Sequence, residues 1–331
     1  SHMSLNHAGA KDPREMGRVL LDALSTAHNA IIAGKNNVWD AGTTTLLGGV
    51  IYPLATGEQD FGLSLLAIGD CKGYVYCHKT HKVREVTRNS RGVNGDASDP
   101  GGRLGPYVGN GQPDLRNLAL LYERVEAGDL VILCSDGVHD NLDPAMLGID
   151  PEDLVPDFAG MTWDQACECN PELGTAARAV FARKRLEALV GKQLEKTLSD
   201  EAAIYGEQLA TSTAPRVPIP YTATSTAGKG AFMPTPEQVV AMATEYCLRV
   251  TETSRQFMEE HPREMLPKDY KRYPGKMDHT TCIAVRVGVL PDQQVPPPKE
   301  AFDLIELAKA HAQPIPAAPA PAADTTARTS G

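Results

Sequence analysis

The stretch "LVILCSDGVHDNL", Leu130 to Leu142, decides the fold. Its first five residues are unbroken apolar and read as a buried strand. The run then meets Asp136-Gly137 and, shortly after, Asp140. Two like charges ~4 Å apart cost about 4 kcal/mol at an effective dielectric of 20. A chain that drives a buried strand into two neighbouring carboxylates therefore needs something to neutralise them.

The same placement recurs further along the sequence. Asp70 follows the apolar run in "AIGDCKGYV", and Asp278 precedes one in "KMDHTTCIAV". A carboxylate at a strand tip points out of the sheet edge, so several converging tips gather hard oxygen donors of the kind Mg²⁺ and Mn²⁺ prefer. Zinc is disfavoured, because no paired Cys or His spacing is present. Asp-Gly and Gly-Asp are also ordinary turn dipeptides, which accounts for any one of these aspartates taken alone.

Around these carboxylates the sequence is rich in short β-type runs: "TTTLLGGVIY" from Thr43, "FGLSLLAIG", "GYVYCH" and "KVREVT". Short polar turns such as "GDCK", 69 to 72, separate them and predict antiparallel hairpins, not a doubly wound parallel sheet. "TTCIAVRVGV", Thr280 to Val289, is the last strand. Helices are expected over Arg14 to Ala33, Glu172 to Leu198 and Pro236 to Glu260, each with apolar residues at helical spacing. The Pro-, Thr- and Ser-rich segment from Thr211 to Pro236 reads as an exposed loop, and the Pro/Ala-rich residues after Pro291 as a disordered tail carrying one short amphipathic piece. The expected organisation is a cloning remnant and helix at 1–41, a first core part at 42–150, an insertion at 151–273, the last core strand at 274–290 and the tail at 291–331.

A chain of 331 residues with 42% hydrophobic content can bury a substantial core. A net charge of −10 argues against a nucleic-acid partner. Seven cysteines without a C-x-x-C pair suit reduced thiols and a cytoplasmic or nuclear setting. No apolar run approaches the ~20 residues of a membrane span, so no membrane partner is expected. Oligomeric state is not legible.

Taken in order, "GTTT" (Gly42 to Thr45), "LLAIGDCKGYVY", "DLVILCSDGVHDNL" and "MDHTTCIAV" resemble the motifs of the metal-dependent serine/threonine protein phosphatases, the PPM or 2C-type family. "LCSDGVHDNL" is the most specific of them. The resemblance runs from Gly42 to Val289 outside the insertion. It implies an α+β fold, an αββα sandwich of two antiparallel sheets flanked by helices. It also implies two core Mg²⁺ or Mn²⁺ ions at Asp136 and Asp278, with Asp70 and Asp140 at or beside a third, weaker ion. The ions would neutralise the carboxylates and activate a water for attack on phosphorus. Arg103, in "DPGGRLGPY", falls in the family's flap region and is a candidate for contacting a substrate phosphate.

Two departures stand beside the resemblance. The family's Asp-Gly-His segment, with its acidic pair and phosphate-binding arginine, has no counterpart here, which leaves catalytic residues unassigned and this chain expected to be weakly active or inactive on its own. His279 stands where the family has Asn. The function implied is a protein serine/threonine phosphatase acting on phosphorylated protein substrates. The alternative is a catalytically silent PPM-like domain, or a fragment of one, serving as a binding scaffold.

Overall fold

The computed structural model describes residues 12–54, 56, 59–87, 100–191 and 233–288. Residues 1–11, most of the expected 211–236 loop and the expected tail lie outside the described residues. A first helix, α1 (Pro13–Ile32), starts at Asp12, whose side chain accepts from the Arg14 amide, with Pro13 supplying a preset φ at the first position. Three strands, β1 (Leu46–Pro53), β2 (Asp60–Ile68) and β7 (Ala119–Glu126), form one antiparallel sheet in the order β1-β2-β7. Four others, β3 (Lys72–Tyr76), β4 (Val83–Glu85), β8 (Leu130–Cys134) and β9 (Cys282–Arg286), form a second in the order β4-β3-β8-β9, again antiparallel throughout. A small ribbon pairs β5 (Arg103–Val108) with β6 (Gln112–Asp114).

Three apolar clusters show how these elements stack. Leu63, Leu65, Val75, Val125, Val131 and Val287 fill the space between the sheets. Leu24 of α1 packs on Leu66 and Ile68, on the outer face of the first sheet. On the outer face of the second, Tyr74, Tyr76, Leu130, Ile132 and Cys134 meet two helices, α5 (Pro171–Val190) and α6 (Pro236–Val250), through Leu186, Leu189, Val239 and Ala243. The layers are therefore helix, sheet, sheet, helix, the α+β sandwich expected. Strand β8 explains the opening quotation: Leu130, Ile132 and Cys134 face the helices while Val131 and Leu133 face the other sheet, so the run is apolar on both sides.

Two expectations need correction. The "GDCK" turn does not close a hairpin: β2 belongs to the first sheet and β3 to the second, so the chain crosses between sheets at Gly69-Asp70. Gly69 has φ 95°, and a Cβ there would stand 2.4 Å from the Thr45 side chain, so the crossing depends on glycine. The helix expected over Pro236 to Glu260 is two helices, α6 and α7 (Glu252–Glu260), parted at Thr251. Thr251 is buried and donates its hydroxyl to the Cys247 carbonyl, a local bond of the kind that competes with helix continuation. Short helices, α2 (Asp136–His139), α3 (Pro151–Leu154) and α4 (Trp163–Cys169), complete the described elements together with single 3₁₀ turns.

Candidate functional site

Strand β8 ends at Cys134 and turns directly into α2, which puts Asp136 at the tip of the second sheet. Opposite it the chain leads into β9 through Gly275, Lys276 and Asp278. The two segments touch because residue 137 is glycine: a Cβ there would lie 2.5 Å from the His279 carbonyl oxygen. Ser135 ties them further, donating its hydroxyl to the His279 carbonyl and accepting from the Thr281 amide, each at 3.0 Å.

The two carboxylates are held alike. Asp136 Oδ1 accepts from the Gly137 amide at 2.9 Å, and Asp278 Oδ1 from the His279 amide at 2.8 Å. Their Oδ2 atoms converge on one group, the Lys276 ammonium, at 2.5 Å for Asp136 and 3.3 Å for Asp278. Asp140, buried in the turn after α2, adds its Oδ2 at 3.3 Å. Burial works against the ammonium, but the three carboxylates outweigh it and hold the Lys276 pKa well above the ordinary lysine range. For Asp278, burial pushes the carboxyl up; the His279 amide and Lys276 more than offset this and bring it below the usual carboxylate range.

Asn141 fixes Lys276 from beneath. Its Oδ1 accepts from the Lys276 amide at 2.8 Å while its Nδ2 donates to the Lys276 carbonyl at 3.1 Å and to the Gly137 carbonyl at 2.8 Å. Tyr246 of α6 donates its hydroxyl to the Asn141 carbonyl, and Arg185 of α5 donates to that hydroxyl, both at 2.8 Å. The helical layer thus anchors the residue that positions the lysine. His139, which a turn position would leave on the surface, is buried: its Nε2 donates to the Asp70 carbonyl at 2.9 Å and its Nδ1 stands 3.0 Å from Asp140 Oδ1. Asp70, buried where the chain crosses between sheets, is joined to the cluster by that histidine.

No family model matches the chain. The PP2C-like domain-containing protein CG9801 of Drosophila melanogaster is 31% identical to it over 186 residues, which covers 52% of this chain and 26% of the fly protein. Over that stretch the chain is similar to a PP2C-like protein. It spans about a quarter of the length of that curated relative. Among solved structures, the phosphatase domain of SpoIIE from Bacillus subtilis aligns over 88% of this chain and 80% of its own at 13% identity and a TM-score of 0.28. The Mycobacterium tuberculosis serine/threonine phosphatase PstP/Ppp aligns over 50% of this chain and 68% of its own at 17% identity and a TM-score of 0.26.

Of the aspartates singled out in the sequence, Asp136, Asp140 and Asp278 share one ammonium, and Asp70 joins through its carbonyl. Arg103 lies on β5, with its guanidinium 4.3 Å from the centre of the Tyr107 ring. His279 exposes its ring fully and contributes its backbone. Lys276 and Asn141 were missed. The available signal was "GKMDH", a lysine two positions before a strand-tip aspartate, and an asparagine following Asp140.

Carboxylate oxygens suit a hard divalent cation in kind. As the side chains stand they are not arranged for one: among the described residues no group of three His, Cys, Asp or Glu could hold a metal ion, and the point on which the three Oδ2 atoms converge is taken by the ammonium.

Proposed function

We propose that this PP2C-like chain carries the centre of a metal-dependent phosphatase that removes phosphate from serine or threonine of protein substrates. The supporting observation is the convergence of Asp136, Asp140 and Asp278 Oδ2 atoms, from two segments far apart in sequence, on a single cation. In this reading Asp136 and Asp278 would hold two core Mg²⁺ or Mn²⁺ ions, with Asp140 and Asp70 at or beside a third. Bound there, such ions lower the pKa of a water to yield hydroxide and stabilise charge on the phosphoryl oxygens.

The protein's own groups prepare that seat. The Gly137 and His279 amides orient the two carboxylates by fixing one oxygen of each, leaving the other turned inward. His139, buried between Asp70 and Asp140, holds the third carboxylate in place. Arg103 offers a planar guanidinium of the kind that binds phosphate oxygens in pairs. The setting proposed is cytoplasmic or nuclear; no described helix is long and apolar enough to cross a membrane.

Calorimetric titration with Mn²⁺ tests the reading: saturable binding is expected, and Asp136→Asn is expected to remove it. Equal binding by both would overturn it. The scaffold alternative draws on the ammonium already in the seat; its signature would be a phosphopeptide bound without phosphate release at any Mn²⁺ concentration.

A further inference from the structure

We propose that Lys276 is the resident cation of the aspartate cluster, and that a divalent ion enters only by displacing it, so that residue 276 sets the affinity of the site for metal. The inference rests on the metal-phosphatase reading and adds a competitor built into the chain.

The contacts make Lys276 more than a surface ion pair. Exposed pairs are worth little, but the Lys276 side chain is three-quarters covered and its ammonium is shared by three carboxylates. It touches the inward oxygens, the same atoms that a cation would need. The ammonium fills the point on which the three Oδ2 atoms converge, so a metal ion bound to those same atoms would need the space it occupies. Occupation is therefore exclusive.

The geometry also says what moves. The Lys276 backbone is latched on both sides by Asn141, and a Cβ on the preceding Gly275 would lie 2.5 Å from Asn141 Oδ1, so the main chain is closely confined there. The side chain is not so confined: it is a flexible four-carbon stem with a quarter of its surface open to solvent. Withdrawal of the ammonium by rotation of that stem clears the seat with Asp136, Asp140 and Asp278 held in place by their own backbone and His139 contacts. Lys276 keeps the carboxylates from repelling one another while no metal is present, and yields the seat when the metal concentration is high enough.

The test is Mn²⁺ binding to the full 331-residue chain, followed by calorimetry and by the Mn²⁺ electron paramagnetic resonance signal. Lys276→Gln, which removes the charge, is expected to bind at least ten-fold more tightly than wild type, and Lys276→Arg, which keeps it, no more tightly. Adding Asp136→Asn to Lys276→Gln is expected to abolish binding. In EDTA, Lys276→Gln is expected to melt below wild type, with Mn²⁺ reversing that order and showing that the variant folds. Measurable binding that is equal or weaker in Lys276→Gln would overturn the proposal and leave the metal reading standing. Absence of binding in both proteins would overturn the two together.

Discussion

Asn141→Ala is the most informative single change in the supporting structure. Asn141 is 1% exposed and makes three hydrogen bonds to backbone: one from the Lys276 amide, one to the Lys276 carbonyl and one to the Gly137 carbonyl. Truncation removes all three at once. The Gly137 carbonyl retains a contact from the Thr280 hydroxyl at 3.4 Å, and the Lys276 backbone lies where water can reach part of it, so the full burial penalty does not apply to each group. At ~1 kcal/mol for each net hydrogen bond the loss is about 3 kcal/mol. For a domain of this size about 2–4 °C of melting temperature corresponds to each kcal/mol, so a fall of roughly 6–12 °C is expected. Thermal unfolding followed by circular dichroism in EDTA measures it without metal. Asn141→Asp serves as the comparator: it keeps the acceptor for the Lys276 amide but turns a buried carboxylate oxygen on the Lys276 and Gly137 carbonyls, so it should melt no higher than Asn141→Ala. A shift under about 2 °C for Asn141→Ala would refute the idea that this side chain holds the Gly275–Lys276 segment against the aspartates, since even two net hydrogen bonds predict more.

Gly137→Ala places a methyl group 2.5 Å from the His279 carbonyl oxygen, so the segments carrying Asp136 and Asp278 must separate; a melting temperature lowered by several degrees, together with weakened Mn²⁺ binding, is expected, and unchanged binding would count against the close approach. The Cys247 and Cys282 thiols are pushed up to about 11 by burial, in Cys247 partly offset by a hydrogen bond to Asn141, whereas Cys169 is exposed. Alkylation near pH 8 followed by mass spectrometry should therefore label Cys169 first and reach buried Cys134 and Cys247 only after unfolding; early labelling of Cys247 would contradict the packing of α6 on the second sheet.

The antiparallel sandwich was legible because its strands are short apolar runs bounded by Gly, Asp and Lys, and because "LVILC" has no polar side to offer solvent. Which sheet each strand joins was not. A four-residue polar turn serves a hairpin and a crossing equally well, and only the packing of Leu65 against Val75 across the sandwich separates them. Strand β7 escaped notice since its outward residues include Leu120 and Tyr122, half-exposed apolar side chains that blur the alternation. The acidic residues announced themselves by position at strand tips. Lys276 did not, because an ammonium becomes a partner for Asp136 only across 140 positions of sequence, and its place two residues before Asp278 is a weak local mark. Asn141 is hidden for the same reason: its role is set by a backbone 135 positions away.

The seam between β8 and β9 has a kinetic consequence. Hairpins β1–β2 and β3–β4 join residues close in sequence, so they can form early and locally, but Ser135 meets Thr281 only after closing a loop of 146 positions. Closing so long a loop carries an entropy cost that grows with its logarithm and is repaid only when the strand pairing on its far side is complete. The carboxylate cluster is assembled by that last closure. During synthesis, a nascent chain that has not yet delivered Lys276 to Arg286 presents β8 as an open edge with Asp136 beside it and no ammonium to face it, so the closure that brings Lys276 to the aspartates also pairs β8 and passes the edge of the sheet to β9.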